Sequence, residues 1–445
     1  MRRRGFLKDV ATAGAAAMLP AQLAQAQGGA VAQSTAAGGL RLRERPQGPL
    51  KIASVEVWRL EGTAEELVGV NRQHQVRPLD VYEERRPAEY HERGPGRIEK
   101  RPRTALYLKI RTDKGLESFY GPIDQEAARV VSDQLGPFLI GKDALAVETL
   151  WDQMHRLNRH SRAGHYMIGI SAVDNALWDL RGRYFQAPVY QLLGGPTRPR
   201  AEVYGSCLGF SVELGKAGPK AAQLKQEGFR HQKWFLAYGP GDGPAGLQKN
   251  VAVVRELREA VGDDVDLMFD VYMGWDLNYA IAWAKQVEQY RPRWIEEASH
   301  VDKMQSFVEL SRATSIPVAT GEHFYGRWEV NDFLRAGAIR VVQADPEWCG
   351  GVSELVKICS IASAFDAHVI PHGHNLHASL HVVSSQSPMT CPLVEYLITK
   401  MENYYFFETP ILRPVRGKIE LPQGPGFGVE LDMAKIEKQT LVTKS

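Results

Sequence analysis

The chain has 445 residues, of which 44% are hydrophobic and 24% charged, enough for two or three domains or one large barrel with an appendage. Its 54 Lys and Arg nearly balance its 52 Asp and Glu, so the net charge of +2 supplies no broad basic field and argues against generic nucleic-acid binding. Four scattered cysteines, Cys207, Cys349, Cys359 and Cys391, include no Cys-x-x-Cys pair and indicate neither a disulfide framework nor a thiolate zinc site.

The N-terminus opens on Arg2-Arg3-Arg4-Gly5-Phe6-Leu7-Lys8, continues as an Ala-rich run and reaches Ala24-Gln25-Ala26, a small-x-small cleavage pattern. Residues 1–26 therefore read as a twin-arginine export signal, against the plainer alternative of a basic amphipathic N-terminus. The expected location is periplasmic or otherwise exported. Residues 27–49, rich in Gly, Ala and Gln, read as a flexible linker. No later segment approaches the roughly 18 to 20 unbroken apolar residues that span a bilayer.

Lys51 to Glu61 and Thr104 to Ile110 alternate in part like half-buried strands, the second leading into the turn Thr112-Asp113-Lys114-Gly115. Between them, Val76 to Arg103 is crowded with Arg, Glu and Pro and predicts a long solvated loop. Helical patterns run from about Asp124 to Gly182, and Pro188 to Gly195 closes an α+β region over residues 50–197.

After Ala201 the sequence becomes rhythmic. Apolar runs ending in a polar residue recur as AEVYGSC, RHQKWFL, DLMFD, RWIEE, IPVATGE, RVVQAD, HVIPH and PLVEY, each followed by a helical stretch. From Asp270 through Glu296, Glu322, Asp345, His372 and Glu395 the intervals are 26, 26, 23, 27 and 23 residues, the length of one strand, one helix and two loops. Eight such cycles predict a parallel β/α barrel over residues 198–395, with an open doubly wound sheet as the alternative. In a barrel these residues, together with Lys233 after the second strand, all meet at the mouth formed by the strands' carboxyl ends.

Three carboxylates brought together, Asp270, Glu296 and Glu322, repel one another unless a cation neutralises them, and all-oxygen ligation suits Mg²⁺. Asp345 and His372 end neighbouring strands. A carboxylate bonded to one ring nitrogen fixes the imidazole tautomer and leaves the other nitrogen as a general base. Glu395, if held neutral, could donate a hydrogen bond to an oxyanion. Lys233 offers a cation for a substrate carboxylate. Each residue has a plainer reading as a strand-end charge or a core histidine, and it is their common placement that favours chemistry. Together they describe removal of a proton next to a carboxylate, with the charge of the enediolate met by a metal ion.

The residues resemble the enolase superfamily, mandelate racemase branch, from about Lys51 onward. The specific elements are Trp294-Ile295-Glu296-Glu297, Gly321-Glu322-His323, Val342-Gln343-Ala344-Asp345 with Cys349-Gly350-Gly351, and Pro371-His372-Gly373. Supporting ones are Val173 to Leu180, Leu192 to Gly195, and Pro425 to Leu431. The resemblance implies a (β/α)7β TIM-like barrel with an α+β capping domain formed by the N-terminal part and the C-terminal tail, residues 396–445. It also implies a loop before Thr104 that serves as a lid, and a homo-oligomer.

One departure matters. Members with two bases carry Lys-x-Lys at the second strand, whereas the run here is Lys233-Trp234-Phe235, so the second base is replaced by Phe235. The remaining His372 and Asp345 with Glu395, and the His323 that follows Glu322, look like sugar-acid dehydratases of the L-rhamnonate dehydratase type. That likeness implies a small-molecule sugar-acid substrate and a substrate-hydroxyl contact at His323. The alternatives are an epimerase or cycloisomerase on the same scaffold, a glycosidase barrel, disfavoured by His372 at the seventh strand, and a non-catalytic exported sugar-acid binder.

Overall fold

The computed structural model describes residues 48–445. The expected export signal, and the linker up to residue 47, lie outside the described residues. Strands β1 (Ile52–Val68), β2 (Arg97–Thr112) and β3 (Glu117–Ile123) form an antiparallel sheet, and the C-terminal strand Lys438–Lys444 adds to the free edge of β1. The tail of the chain thus completes the sheet that its beginning started.

Both long strands exceed expectation. β1 runs on to Val68 and β2 starts at Arg97, inside the segment expected as loop, with Val68 opposite Arg97 and Leu60 opposite Ala105. This end of the hairpin is laced by ion pairs from Glu99 to Arg97 and Arg101, at 2.6 and 2.7 Å. An arm with solvent on both sides needs no alternation of apolar residues, so the period-2 signal that marks a half-buried strand is missing there. The remaining linker of the hairpin, residues 69–96, lies on the barrel. Gln73 N–H donates to Gly209 O at 3.1 Å and Val76 N–H to Leu236 O at 2.9 Å.

Strands β4 (Arg200–Ser206), β5 (His231–Phe235), β6 (Asp266–Asp270), β7 (Trp294–Glu296), β8 (Val318–Thr320), β9 (Val341–Val342), β10 (His368–Val369) and β11 (Val394–Leu397) follow one another round a parallel sheet, and β11 pairs back onto β4. A helix follows each of the first seven, giving the (β/α)7β pattern expected. Across the seam between β10 and β11, Gly373 N–H donates to Glu395 Oε2 at 2.7 Å. Tyr204, Met268, Trp294, Ala319, Val341, Ile370 and Leu393 fill the barrel as one apolar layer. Among the described residues no helix is long and apolar enough to cross a membrane.

The cap is joined to the barrel through the helix His165–Phe185. Gly350 and Gly351 both have positive φ, which an L side chain rarely adopts, and they bring the start of the helix Gly351–Ala364 against this cap helix. The barrel helix lacks a cap of its own. Ser171 Oγ accepts from Gly350 N–H at 2.8 Å, Asn175 Oδ1 from Val352 N–H at 3.0 Å and Asp174 Oδ2 from Ser353 N–H at 2.9 Å. Free amides at a helix start need acceptors, and here a second helix supplies them. Further along the same helix, Asp179 accepts from Phe427 N–H at 3.0 Å and from Arg183 at 2.6 Å, tying down the tail.

Burial pushes the Asp174 carboxyl up to about 7, against the opposing pull of the two Ser353 donors. A raised carboxyl pKa means that the fold favours the protonated form, so this contribution is full at low pH and is lost as pH rises through about 7. Asp174→Ala should cost about 2 kcal/mol by leaving buried donors without an acceptor. Asp174→Asn should instead gain stability relative to the parent chain between about pH 5 and pH 8. Thermal midpoints of the three proteins across that range check both outcomes.

Candidate active site

Side chains two residues apart on a strand share a face. Met268, Trp294, Ile370 and Leu393 belong to the apolar layer inside the barrel, so Asp270, Glu296, His372 and Glu395 stand directly above them in the mouth. Lys233 lies opposite Met268 in register on β5 and projects into the same interior.

Lys233 does not stand open to a ligand. It is 1% exposed, with Nζ 2.5 Å from Glu296 Oε1, 3.0 Å from Glu395 Oε1 and 3.3 Å from Asp270 Oδ2. Burial disfavours its charge, but Glu296, Glu395 and Asp270 outweigh this and hold it protonated. The free cation expected for a substrate carboxylate is thus engaged with three acids. Glu395 also differs from expectation. Despite burial, Lys233 and His372 push its carboxyl down to about 2, so it is ionised and accepts from Gly373 N–H. This favours an acceptor of hydrogen bonds over the neutral donor expected. Glu296, which shares Lys233 with the other acids, is pushed up to about 7 by burial. Asp270 is likewise raised by burial and by Glu322.

The His372–Asp345 pair forms as expected. His372 Nδ1 lies 2.8 Å from Asp345 Oδ2, and Asp345 also accepts from the amides of Glu347 at 2.7 Å and His374 at 3.0 Å. An acceptor with those donors already on it holds the proton on Nδ1 and leaves Nε2 as the exchanging nitrogen. Nε2 faces Glu322 Oε2 at 3.6 Å. Burial opposes the charge on His372, yet Glu322, the Asp345 hydrogen bond and Glu395 push its pKa up to about 9. Trp348 stacks on this ring at 5.0 Å and on His323 at 5.9 Å, fixing both imidazoles as a wall of the mouth.

The expected trio Asp270, Glu296 and Glu322 lies in the one mouth, with Asp270 acted on by both of the others. Two of them gather on Lys233, while the group whose ligand atoms all lie within 4.8 Å of one another, among the described residues, is Glu297, Glu322 and His323. His323 Nε2 faces Glu322 at 3.3 Å and Glu297 at 3.6 Å. Glu297 escaped the sequence reading. On a regular strand it would point out of the barrel, next to Glu296, but its φ of 49° turns it back. Both its carboxylate oxygens are buried without a hydrogen-bond partner. Burial, Glu322 and Asp270 hold its pKa well above the usual carboxylate range. A mouth in which Lys233, His372 and His323 face this many buried carboxylates fits an additional divalent cation.

The cap adds a second missed group. His374 lies 2.7 Å from Lys400 Nζ and 2.9 Å from the Tyr404 hydroxyl, and Asp124 receives the Trp348 indole N–H at 3.4 Å. Burial lowers the Lys400 pKa against the attraction of Asp345 and Asp124. Asp124, Lys400 and Tyr404 have no sequence signal of their own, because the cap contributes them from distant segments, whereas His374 and Trp348 lie on barrel loops. Three further histidines between Ala367 and Val382 are structural: His377 pairs with Glu408 at 2.5 Å, His368 with Met389 O at 2.9 Å, and His381, which burial pushes down to about 3, accepts from Tyr190 N–H at 3.0 Å.

Comparison with known proteins matches residues 217–435 to the enolase C-terminal domain-like family and residues 100–194 to the N-terminal domain family of mandelate racemase and muconate lactonizing enzyme. The chain belongs to the enolase superfamily. Within it, the chain lies in the mandelate racemase and muconate lactonizing enzyme branch and is similar to rhamnonate dehydratases. L-rhamnonate dehydratase of Saccharopolyspora erythraea is 35% identical over 319 residues, covering 69% of this chain and 78% of that protein. The crystal structure of rhamnonate dehydratase from Gibberella zeae complexed with Mg superposes with a TM-score of 0.73 at 27% identity, covering 87% of this chain and 95% of that one. The 3,6-anhydro-D-galactonate cycloisomerase from Zobellia galactanivorans gives 0.69 at 26% identity, covering 87% of this chain and all of that one.

Asp345→Asn removes an anion from the His372 ring and should lower the pKa of His372 by about one unit or more. Imidazole resonances followed by NMR through a pH titration of the metal-free protein check this. An unmoved midpoint would separate the pair.

Proposed function

We propose that the protein is a Mg²⁺-dependent dehydratase of a monocarboxylic sugar acid of the L-rhamnonate kind, releasing water and a 2-keto-3-deoxy acid. The observation that carries this reading is a single, fully built acid–base group, His372 oriented by Asp345, with Phe235 where a second base would stand. Asp270, Glu296 and Glu322 would hold the ion. When bound, Mg²⁺ supplies positive charge against the negative charge that grows on the substrate's acid group as the α-proton leaves.

The chain's own residues do the rest. His372 Nε2 takes the proton from C2, and the imidazolium so formed is stabilised by Asp345 on the other ring nitrogen. The same nitrogen then returns a proton to the C3 hydroxyl, which departs as water, and the resulting enol becomes the 2-keto acid. Lys233 keeps Glu296, Glu395 and Asp270 close enough to share one mouth. Trp348, stacked on His372, holds the imidazole in place. Export through the twin-arginine signal and assembly as a homo-oligomer complete the reading.

A cycloisomerase would use the same single base but would form an isomer and no water. Incubation with Mg²⁺ and a panel of sugar acids, followed by detection of 2-keto acids, separates the readings. Formation of a 2-keto-3-deoxy acid is expected. An isomer of unchanged mass would favour the cycloisomerase, and tight binding with no product would favour a binding protein. His372→Asn should reduce turnover by about 10³-fold and abolish deuterium exchange at C2. Persistent exchange would place the base elsewhere.

A further inference from the structure

Lys233 is engaged by three acids, but the charge of a second lysine is also felt at the mouth. Burial disfavours the ammonium of Lys400, while Asp345, Asp124 and Glu395 attract it. Lys400 follows β11 and stands just before the short helix Met401–Tyr404. Tyr404 N–H donates to Lys400 O at 2.9 Å, and this single turn brings Lys400 Nζ to 4.6 Å from the centre of the Tyr404 ring. The hydrogen bonds around it run in one direction. The Tyr404 hydroxyl donates to Pro122 O at 3.1 Å, so its oxygen is left to accept from His374 Nε2 at 2.9 Å, with Asp124 facing the same nitrogen at 3.6 Å. With the ring hydrogen on Nε2, Nδ1 accepts from Lys400 Nζ at 2.7 Å. His374 is itself held by its backbone N–H to Asp345 at 3.0 Å and by Trp348 at 4.9 Å, the same indole that lies against His372. An ammonium has three hydrogens, and among the described residues His374 Nδ1 alone accepts one of them.

We propose that Lys400 is a substrate-binding residue, its ammonium donating to a hydroxyl of the sugar acid beyond C3 and so favouring long polyhydroxy acids over short ones. The direction of the substrate gives this its place. Asp270, Glu296 and Glu322 stand at the ends of β6 to β8, Lys400 follows β11, and His372 at the end of β10 lies between them in strand order. An acid whose carboxylate is at the ion and whose C2 is at His372 extends toward Lys400. A sugar hydroxyl is a neutral acceptor that takes a hydrogen from the ammonium without cancelling its charge, and a donor held rigidly from the cap discriminates by position. The inference rests on the dehydratase reading for that direction and adds the residue that holds the far end of the chain.

Calorimetric titration of the full chain carrying His372→Asn, which keeps a bound acid from being consumed, tests this in the presence of Mg²⁺. The probes are L-rhamnonate and 2,3-dihydroxypropanoate, an acid that ends at C3. Adding Lys400→Met should weaken L-rhamnonate by at least about tenfold and leave the short acid and Mg²⁺ nearly unchanged. Lys400→Arg, which keeps the charge and several donors, should recover part of the loss. Equal affinity for L-rhamnonate with and without Lys400 would overturn the proposal, as would a matching loss on both acids or an absence of L-rhamnonate binding while Lys400 is in place. Turnover is not read by these titrations. A sugar acid that binds through Lys400 and yields no 2-keto acid in the parent chain would remove the dehydratase reading and leave this inference standing.

Discussion

Six carboxylates, Asp270, Glu296, Glu297, Glu322, Asp345 and Glu395, are buried in one barrel mouth, and Lys233 stands among them. Like charges at such separations in a poorly hydrated space cannot all remain ionised unless positive charge is close by. The arrangement follows from that constraint. Glu395, pinned between Lys233 and the Gly373 amide, stays an anion, while Glu296 and Glu297 are driven the other way. His372 is drawn toward its protonated form by the same field. A divalent cation changes all of these balances at once, and so the metal and the base are parts of one electrostatic system.

Much of this was legible in the sequence because a barrel strand is a simple ruler. The apolar residues Met268, Trp294, Ile370 and Leu393 mark the inward face, and two residues on, Asp270, Glu296, His372 and Glu395 must share it. The fold was readable for the same reason, since eight strands alternating with helices leave few other architectures. The ruler fails where the backbone leaves the strand. Glu297 reaches the mouth only through a left-handed residue, which no pattern of side-chain types announces. The ionisation of Glu395 and the burial of Lys233 depend on distances across the barrel, and those are properties of closure and not of any one segment. The β1–β2 arm was hidden because it is largely exposed and its few apolar residues, such as Leu67 and Ile98, set up no alternation.

The cap does more than cover the site. Asp345 lies at the start of a loop whose later members are held from the cap side: Tyr120 donates to Glu347 at 2.5 Å, and Asn175 donates to Pro346 O at 2.9 Å and to the Tyr120 hydroxyl at 2.8 Å. The hydrogen bonds that orient the His372 partner therefore continue into another layer of the molecule. Precision at the reacting nitrogen is a property of both parts together.

That dependence bears on how such a protein can be taken apart or recombined. The start of the helix Gly351–Ala364 borrows its acceptors from Ser171, Asp174 and Asn175, and the tail is fastened through Asp179. A cap grafted from a relative would bring its own version of that helix but would meet a foreign glycine turn. The inheritable module is accordingly the joint itself, the cap helix with the loop that follows β9, and a chimera keeps a working barrel only if its crossover leaves that joint whole.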